Sequence, residues 1–413
     1  MSNLYLRRYA YPTKFLKPSD YGQPDICVVI PCHNEPDLIS SLTAIESCQY
    51  PDSQIFIIVV LNASEASARE IKNRNVQTLA AARQWLLEAP RKYQYHFILD
   101  NELPKKHAGV GLARKIGMDE AVRIFESSQK DGVLLCFDAD STCDSNLLVE
   151  VEKIFRDNPA MPGCSIHFEH PLEGDMVSEV YAGILSYELH LRYYVDGLKY
   201  AGFPYAYQTI GSSMAVRSSA YQKQGGMNRR KAGEDFYFLH KIIPLGNFKS
   251  LHSTKIIPSP RRSDRVPFGT GRAIGIWLDE DKSELLSYDP KVFEDLKGLF
   301  EQVELLYLAT NVSSVWNNLT AAVQAFVPWD EFEARVAEFK SQSNTAETFQ
   351  KRFYQWFDGF KALKFVHYAR DEFYPNIPIS DGADWLFDKL GQDSTSWDLK
   401  QKLAELRAID RSQ

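Results

Sequence analysis

The chain has 413 residues, 44% of them hydrophobic and 24% charged, with a formal net charge of −7. This balance suits a globular protein of two or three domains and argues against a general nucleic-acid binder, which needs a clustered excess of Lys and Arg. No window approaches the roughly 20 consecutive apolar residues of a spanning helix, the opening MSNLYLRRYAYPTKF lacks an apolar signal core, and the six cysteines show no C-x-x-C spacing. The expectation is a cytoplasmic protein with reduced thiols, no transmembrane segment, no disulfide scaffold and no structural zinc.

The first half alternates short β-branched or aromatic runs with helical patterns. Residues 26–30, 55–61, 95–99 and 133–137 read as buried strands. Leu38, Ile39, Leu42 and Ile45 share one helical face, as do Leu147, Leu148, Val151, Ile154 and Phe155. The alternation predicts an α/β fold with a mostly parallel sheet covered by helices on both faces, and ligands beyond the carboxyl ends of its strands. From about residue 162 the pattern changes. Residues 164–168 suit another strand, Met176 to Leu189 mark a helix, Glu234 opens another, and residues 258–275 are rich in Pro, Arg and Gly. After about residue 285, Val292, Leu296, Leu299, Phe300, Val303, Leu306 and Tyr307 keep a helical period, and five of the seven tryptophans lie beyond residue 300. This predicts a helical, aromatic-rich accessory region at 281–413, its rings serving either packing or acceptor and partner binding. Residues 1–24 read as an N-terminal extension and 25–280 as the main domain.

Six polar motifs follow strands or open helices. In VVIPCHNEP a buried strand ends at Pro31, and a loop with Asn34 and Glu35 enters a helix; it suits either a ligand crevice or an ordinary capped turn. Asn62 ends the next strand, where its amide offers a nucleobase both a donor and an acceptor, or simply forms a turn. In KKHAGVGLAR, glycines and cations ending at Arg114 precede a helix, a setting that suits phosphate. LLCFDAD runs an apolar strand into Asp138 and Asp140, whose i, i+2 spacing projects both carboxylates to one side. Two such charges need a cation nearby, and Mg²⁺ or Mn²⁺ shared with a diphosphate meets that need. Glu234 and Asp235 open a helix after a basic run, where a carboxylate could accept a proton from an attacking hydroxyl. Arg261, Arg262 and Arg265, with nearby glycines, suit either a mobile loop closing on phosphates or an exposed basic loop. His252 is a candidate further metal ligand, against the structural role of most single histidines.

Five blocks in order, VVIPCHNEP, IIVVLNASEAS, AGVGLARKIGMDEA, LLCFDADSTCDSNLL and GSSMAVRSSAYQKQGGMNRRKAGEDF, cover roughly residues 25–245. Together they resemble glycosyltransferase family two, nucleotide-sugar-dependent enzymes of the GT-A fold. The resemblance implies a UDP- or other nucleotide-diphosphate-sugar donor, with Pro31, Asn34, Glu35 and Asn62 around the nucleotide. It implies Asp138 and Asp140 as the D-x-D pair, Asp140 being the direct ligand of a divalent cation, Mn or Mg. It implies Asp235 as catalytic base supported by Glu234, in an inverting transfer to a carbohydrate, lipid or small-molecule acceptor. Departures are Leu61-Asn62, where the family often carries an acidic residue, Lys115, where it usually has asparagine, and the lack of Q-x-x-R-W. Rival expectations are a retaining, glycosyl-glycerate-like transferase in which Asp235 orients substrate, and a non-catalytic nucleotide-sugar-binding module. A sugar nucleotidyltransferase is a further rival, but its Gly-rich N-terminal signature is absent. A lipid acceptor would add peripheral membrane contact.

Overall fold

The computed structural model describes residues 3–263, 265, 269–280 and 284–412; Asp264 and residues 266–268 of the basic segment lie outside the described residues. The chain forms two compact units, one of Met1–Ile184, Thr209–Asp279 and Arg407–Gln413, the other of Leu185–Gln208 and Glu280–Leu406. The main unit therefore includes the N-terminal segment and the last residues of the chain, while residues 185–208 belong with the accessory unit.

In chain order the elements up to the end of the sheet are α1 (Leu4–Arg8), β1 (Ile26–Cys32), α2 (Leu38–Glu46), β2 (Ile55–Ser64), α3 (Arg69–Glu88), β3 (Gln94–Leu103), α4 (Val110–Ser128) and β4 (Val133–Cys136). Then come β5 (Thr142–Cys143), α5 (Leu147–Asp157), β6 (Gly163–Phe168), α6 (Ser178–Tyr200), β7 (Met214–Arg217), α7 (Ser218–Lys223), α8 (Glu234–Ile242) and β8 (Lys249–Ile257). The eight strands form one sheet in the order β3-β2-β1-β4-β7-β6-β8-β5. β3, β2, β1 and β4 are parallel. β7 runs antiparallel to both β4 and β6, β8 is parallel to β6, and β5 caps the edge antiparallel to β8. This is the GT-A-type α/β arrangement, with a 3-2-1-4 parallel half of the kind that binds nucleotides at its strand ends.

The strand sequences explain the layering. Every residue of β1 is buried, so both faces of that strand need cover. Ile26, Val28 and Ile30 pack on one face with Leu42 of α2, Leu79 and Trp85 of α3, and Val151 and Phe155 of α5. α4 covers the other face, where Val29 and Val60 meet it at Gly117. Pro31 sits in a central strand without breaking the ladder, because the last β1–β4 pair is Val29 with Cys136.

α4 is buried from Gly111 to Phe125, including Lys115, Asp119, Glu120 and Arg123. The N-terminal segment supplies the partners that such burial demands. Tyr5 Oη and the Tyr11 amide donate to the two oxygens of Asp119, each at 2.6 Å, and the Phe15 amide donates to Glu120 at 3.1 Å. Lys115 reaches Asp119 at 3.1 Å, and Arg123 reaches Glu120 at 2.7 Å.

The accessory unit is helical, with one small antiparallel ladder pairing Leu286–Ser287 with Ile377–Pro378. Its aromatic residues stack on one another. Phe293 lies 5.3 Å from Tyr193 and 6.1 Å from Trp385 between ring centres, and Phe300 lies 5.5 Å from Phe357. Among the described residues no helix is long and apolar enough to cross a membrane.

Candidate active site

The candidate side chains gather at one edge of the main unit's sheet. β1 delivers His33, Asn34 and Glu35, β2 delivers Asn62, and β4 delivers Asp138 and Asp140. The first turns of α4 and α8 add Arg114, Glu234 and Asp235, and the segment after β8 adds Arg261 and Arg265.

Arg114 is the hub of one half. Its side chain is 3% exposed, with Nη2 donating to Asp138 Oδ1 at 2.7 Å, Nε to Glu234 Oε1 at 3.0 Å and Nη1 to the Gly211 carbonyl at 2.7 Å. It therefore links the D-x-D loop to the Glu-Asp pair and does not present its guanidinium as a free phosphate ligand. The two glycines before it serve close packing. A Cβ on Gly109 would lie 2.6 Å from Lys231 Cα, and one on Gly111 2.5 Å from the Arg230 carbonyl oxygen. The missing side chains let the first turn of α4 press against the 228–234 loop, and the Gly111 amide donates to Arg230 O at 3.2 Å. Gly211 is equally confined: a Cβ there would stand 2.7 Å from Arg114 Nη2 and 2.9 Å from Asp235 Oδ2.

Burial dominates the Glu-Asp pair. Glu234 is pushed up to about 7 by burial and by the neighbouring Asp235 charge, which together outweigh the Arg114 ion pair. Asp235 is raised as well, chiefly by burial, although it accepts from the Phe236 amide at 2.7 Å.

The second half is built on Arg261 and Arg265. Arg261 Nη1 donates to Glu35 Oε1 at 3.0 Å and Nη2 to Asp140 Oδ2 at 2.7 Å, with a further contact from Nη2 to Glu35 Oε2. Arg265 Nη1 donates to Glu35 Oε2 at 3.2 Å and Nη2 to Asp140 Oδ2 at 3.3 Å. Burial opposes ionisation of Glu35, but the hydrogen bonds from Arg261 and the Asp37 amide and the two arginine charges hold its pKa below the ordinary value. Asp140 is raised, because burial and the Asp138 charge outweigh the same two arginines.

The donor set fits a hard divalent cation shared with phosphate. Among the described residues no three His, Cys, Asp or Glu side chains converge on a self-contained metal cage. Mg²⁺ and its like need only one or two protein carboxylates when a diphosphate completes the shell. Glu35, Asp138, Asp140, Glu234 and Asp235 set five carboxylates against the three guanidiniums of Arg114, Arg261 and Arg265. Fully ionised, these groups leave two negative charges, and cationic nitrogen already lies against Asp140.

Two polar residues that sequence reasoning missed tie the ends of β1, β2 and β3 together. Asn75, on the inward face of α3, is fully buried. Its Oδ1 accepts from the Asn34 amide at 3.0 Å, and its Nδ2 donates to the Asn62 carbonyl at 2.9 Å and to Asn101 Oδ1 at 2.9 Å. Asn34 has φ 51°, a left-handed conformation that asparagine tolerates better than most residues. One turn on, Thr78 donates to the Glu35 carbonyl at 2.7 Å. The signal was present: Asn75 and Thr78 interrupt an inward stripe continued by Leu79, Ala82 and Trp85. Asn62 is 2% exposed, and its Oδ1 has no hydrogen-bond partner among the described residues.

Three expected residues make other contacts. His252 stands five positions before Ile257, the residue of β8 that pairs with Thr142. Its ring packs against that of His167 at 6.0 Å between centres, one residue past the pairing of Leu251 with Ile166. Arg262 turns away to a two-pronged pair with Asp279 at 2.6 and 2.8 Å. Pro31 is buried inside β1 opposite Val60.

No family model matches the chain, and no curated protein matches it. Solved structures do resemble it. One is TarS 1-349 of S. aureus in complex with UDP-GlcNAc, at 10% identity and a TM-score of 0.40, covering 81% of this chain and 91% of that one. Another is the mannosyltransferase PcManGT from Pyrobaculum calidifontis in complex with GDP-Man and Mn²⁺, at 13% identity and a TM-score of 0.36, covering 98% of this chain and 92% of that one. Values this low carry no functional inference.

Proposed function

We propose that the chain is a glycosyltransferase that moves a sugar from a nucleotide-diphosphate donor, a UDP-sugar, to an acceptor hydroxyl with inversion and with the help of Mn²⁺ or Mg²⁺. The observation that carries this reading is the Arg114 bridge, which binds the D-x-D loop and the Glu-Asp pair into one site at the strand ends. The open Asn62 acceptor suits a base N–H, since a buried acceptor left unpaired costs about 1–3 kcal/mol. Asp140, with Asp138 beside it, would hold the cation, which when bound supplies Lewis-acid stabilisation of the departing diphosphate. Arg261 and Arg265 would trade their carboxylate partners for phosphate oxygens, which guanidinium forks match well. Asp235 takes the proton of the acceptor hydroxyl as its oxygen bonds to the anomeric carbon and the bond from that carbon to the diphosphate oxygen breaks. A base with a raised pKa is well matched to this task near neutral pH. Glu234, committed to Arg114, fixes the geometry and charge around it.

The test is a thermal-shift titration of UDP-, GDP- and dTDP-sugars with and without Mn²⁺, on the native chain and on Asp140→Ala. At a donor concentration of 100 Kd the stabilisation is about 2.7 kcal/mol. It should require nucleotide and cation together and vanish in the variant. Stabilisation by none of the donors, or an equal response in Asp140→Ala, overturns the reading. NMR of the product then reads the anomeric configuration, and a retained one removes Asp235 as the base of an inverting step.

A further inference from the structure

Cys48 lies just past the end of α2, and Cys143 is the second residue of β5, three positions after Asp140. Their sulfurs are 3.7 Å apart, and no other two sulfurs stand in such contact among the described residues. The remaining thiols are buried in the sheet on β1, β4 and β6. Burial keeps them protonated, Cys136 being pushed up to about 11 and Cys164 to about 12. Cys48 differs. Its sulfur shares a hydrogen bond with the Cys143 thiol in which either can donate, lies 3.5 Å from the Ala44 carbonyl oxygen and 3.9 Å from that of Asp144, and accepts from the Leu148 amide, while the Lys92 ammonium lies close enough to favour its charge, donating to the Cys48 carbonyl at 3.0 Å. The thiol, amide and ammonium outweigh burial and draw its pKa below the ordinary thiol value. Cys48 is itself fully buried, and the partly exposed Cys143 is the side from which a small oxidant reaches it.

We propose that Cys48 and Cys143 form a redox modification site, a dithiol that hydrogen peroxide converts to a disulfide and a small thiol returns. The Cys48 thiolate attacks one peroxide oxygen; the S–O bond forms, the O–O bond breaks, and the departing hydroxide takes a proton to leave as water. The Cys143 sulfur then attacks the sulfenic sulfur of Cys48. The S–S bond forms, the S–O bond breaks, and hydroxide leaves with the Cys143 proton as a second water. The two thiols lose two electrons and the peroxide is reduced. Closure to a bond of about 2.05 Å moves the sulfurs together by about 1.7 Å. This is a short adjustment for a helix end and a two-residue edge strand. The disulfide would close a 95-residue separation and tie the stretch just past Asp140 to α2.

The test treats the full chain with hydrogen peroxide, alkylates remaining thiols under denaturing conditions, and maps peptides by mass spectrometry. The expected product is one linked peptide pair holding Cys48 and Cys143, reversed by dithiothreitol, with the other four cysteines alkylated. Its thermal midpoint should rise on oxidation and fall back on reduction. Complete alkylation of Cys48 and Cys143, sulfinic acid at either without a link, or links to other cysteines each overturn the proposal. Cys143→Ser should abolish the linked pair; the map of the native chain decides the matter even if that variant folds poorly. None of these readouts depends on glycosyl transfer, so the two proposals fail separately.

Discussion

Replacing Arg114 by methionine keeps an unbranched, flexible stem and removes the guanidinium and its charge. The arginine is 3% exposed and serves Asp138, Glu234 and a carbonyl at 2.7 to 3.0 Å. Removing one partner of a buried ion pair costs about 3–5 kcal/mol. Asp138 is 34% exposed and can be solvated again, whereas Glu234 is 4% exposed and cannot. Glu234 has another escape, because it already titrates near 7 and will titrate higher once Arg114 is gone. A carboxyl group whose folded pKa is raised holds its proton in the native state after the unfolded chain has released it. Stability therefore falls as pH rises from the ordinary value through the folded one. In Arg114→Met that window extends upward. At pH 6 the protonated Glu234 leaves a loss nearer that of an unpaired polar group, about 1–3 kcal/mol, and by pH 8.5 the full charge-burial cost returns. Urea denaturation followed by far-UV circular dichroism at pH 6, 7 and 8.5 measures the trend. Adding Glu234→Gln should restore much of the loss at pH 8.5 and little at pH 6. A deficit below about 1 kcal/mol at every pH, or strict additivity of the two substitutions, refutes the bridge as the organising contact.

Gly211→Ala forces a methyl group onto Arg114 and Asp235; it should cost about 1–3 kcal/mol and lower turnover more than tenfold, and unchanged kcat would contradict that crowding. Asn75→Ala should weaken UDP binding about tenfold by calorimetry, near 1.4 kcal/mol, because the Asn34 and Asn62 backbones lose their common tie; equal affinity would remove its positioning role. The pH profile of kcat/KM should rise through the range set by the raised Glu234 and Asp235 pKa values, since the base must lose its proton. A flat profile between pH 5 and 8 is the opposing result. Asp119→Ala strands Tyr5, Tyr221 and Lys115, so limited proteolysis should cut residues 3–21 much faster than in the native chain, and an unchanged rate would mean that the N-terminal segment is held by other contacts.

The candidate carboxylates at β1 and β4 were readable because each follows an unbroken apolar run, and a parallel strand buried on both faces can place polar groups only beyond its end. The helical period of the accessory unit was readable for a similar local reason. β7 and β8 were not: β7 has four residues, and β8, KSLHSTKII, mixes polar and apolar residues in a pattern that a loop could share. Lys115, at the position where the resembled family usually has asparagine, is the partner of Asp119 and Tyr5. Local residue chemistry thus determined the parallel half of the sheet, the carboxylate motifs and the aromatic helical region. Tertiary structure alone decided that Arg114 joins Asp138 to Glu234, that glycines 109 and 111 admit a neighbouring loop, that Asn75 ties three strand ends, and that Arg262 pairs with Asp279 while Arg261 and Arg265 meet Glu35 and Asp140. Each of these depends on which distant segment packs against a residue, and neither spacing nor periodicity along a chain encodes that partner.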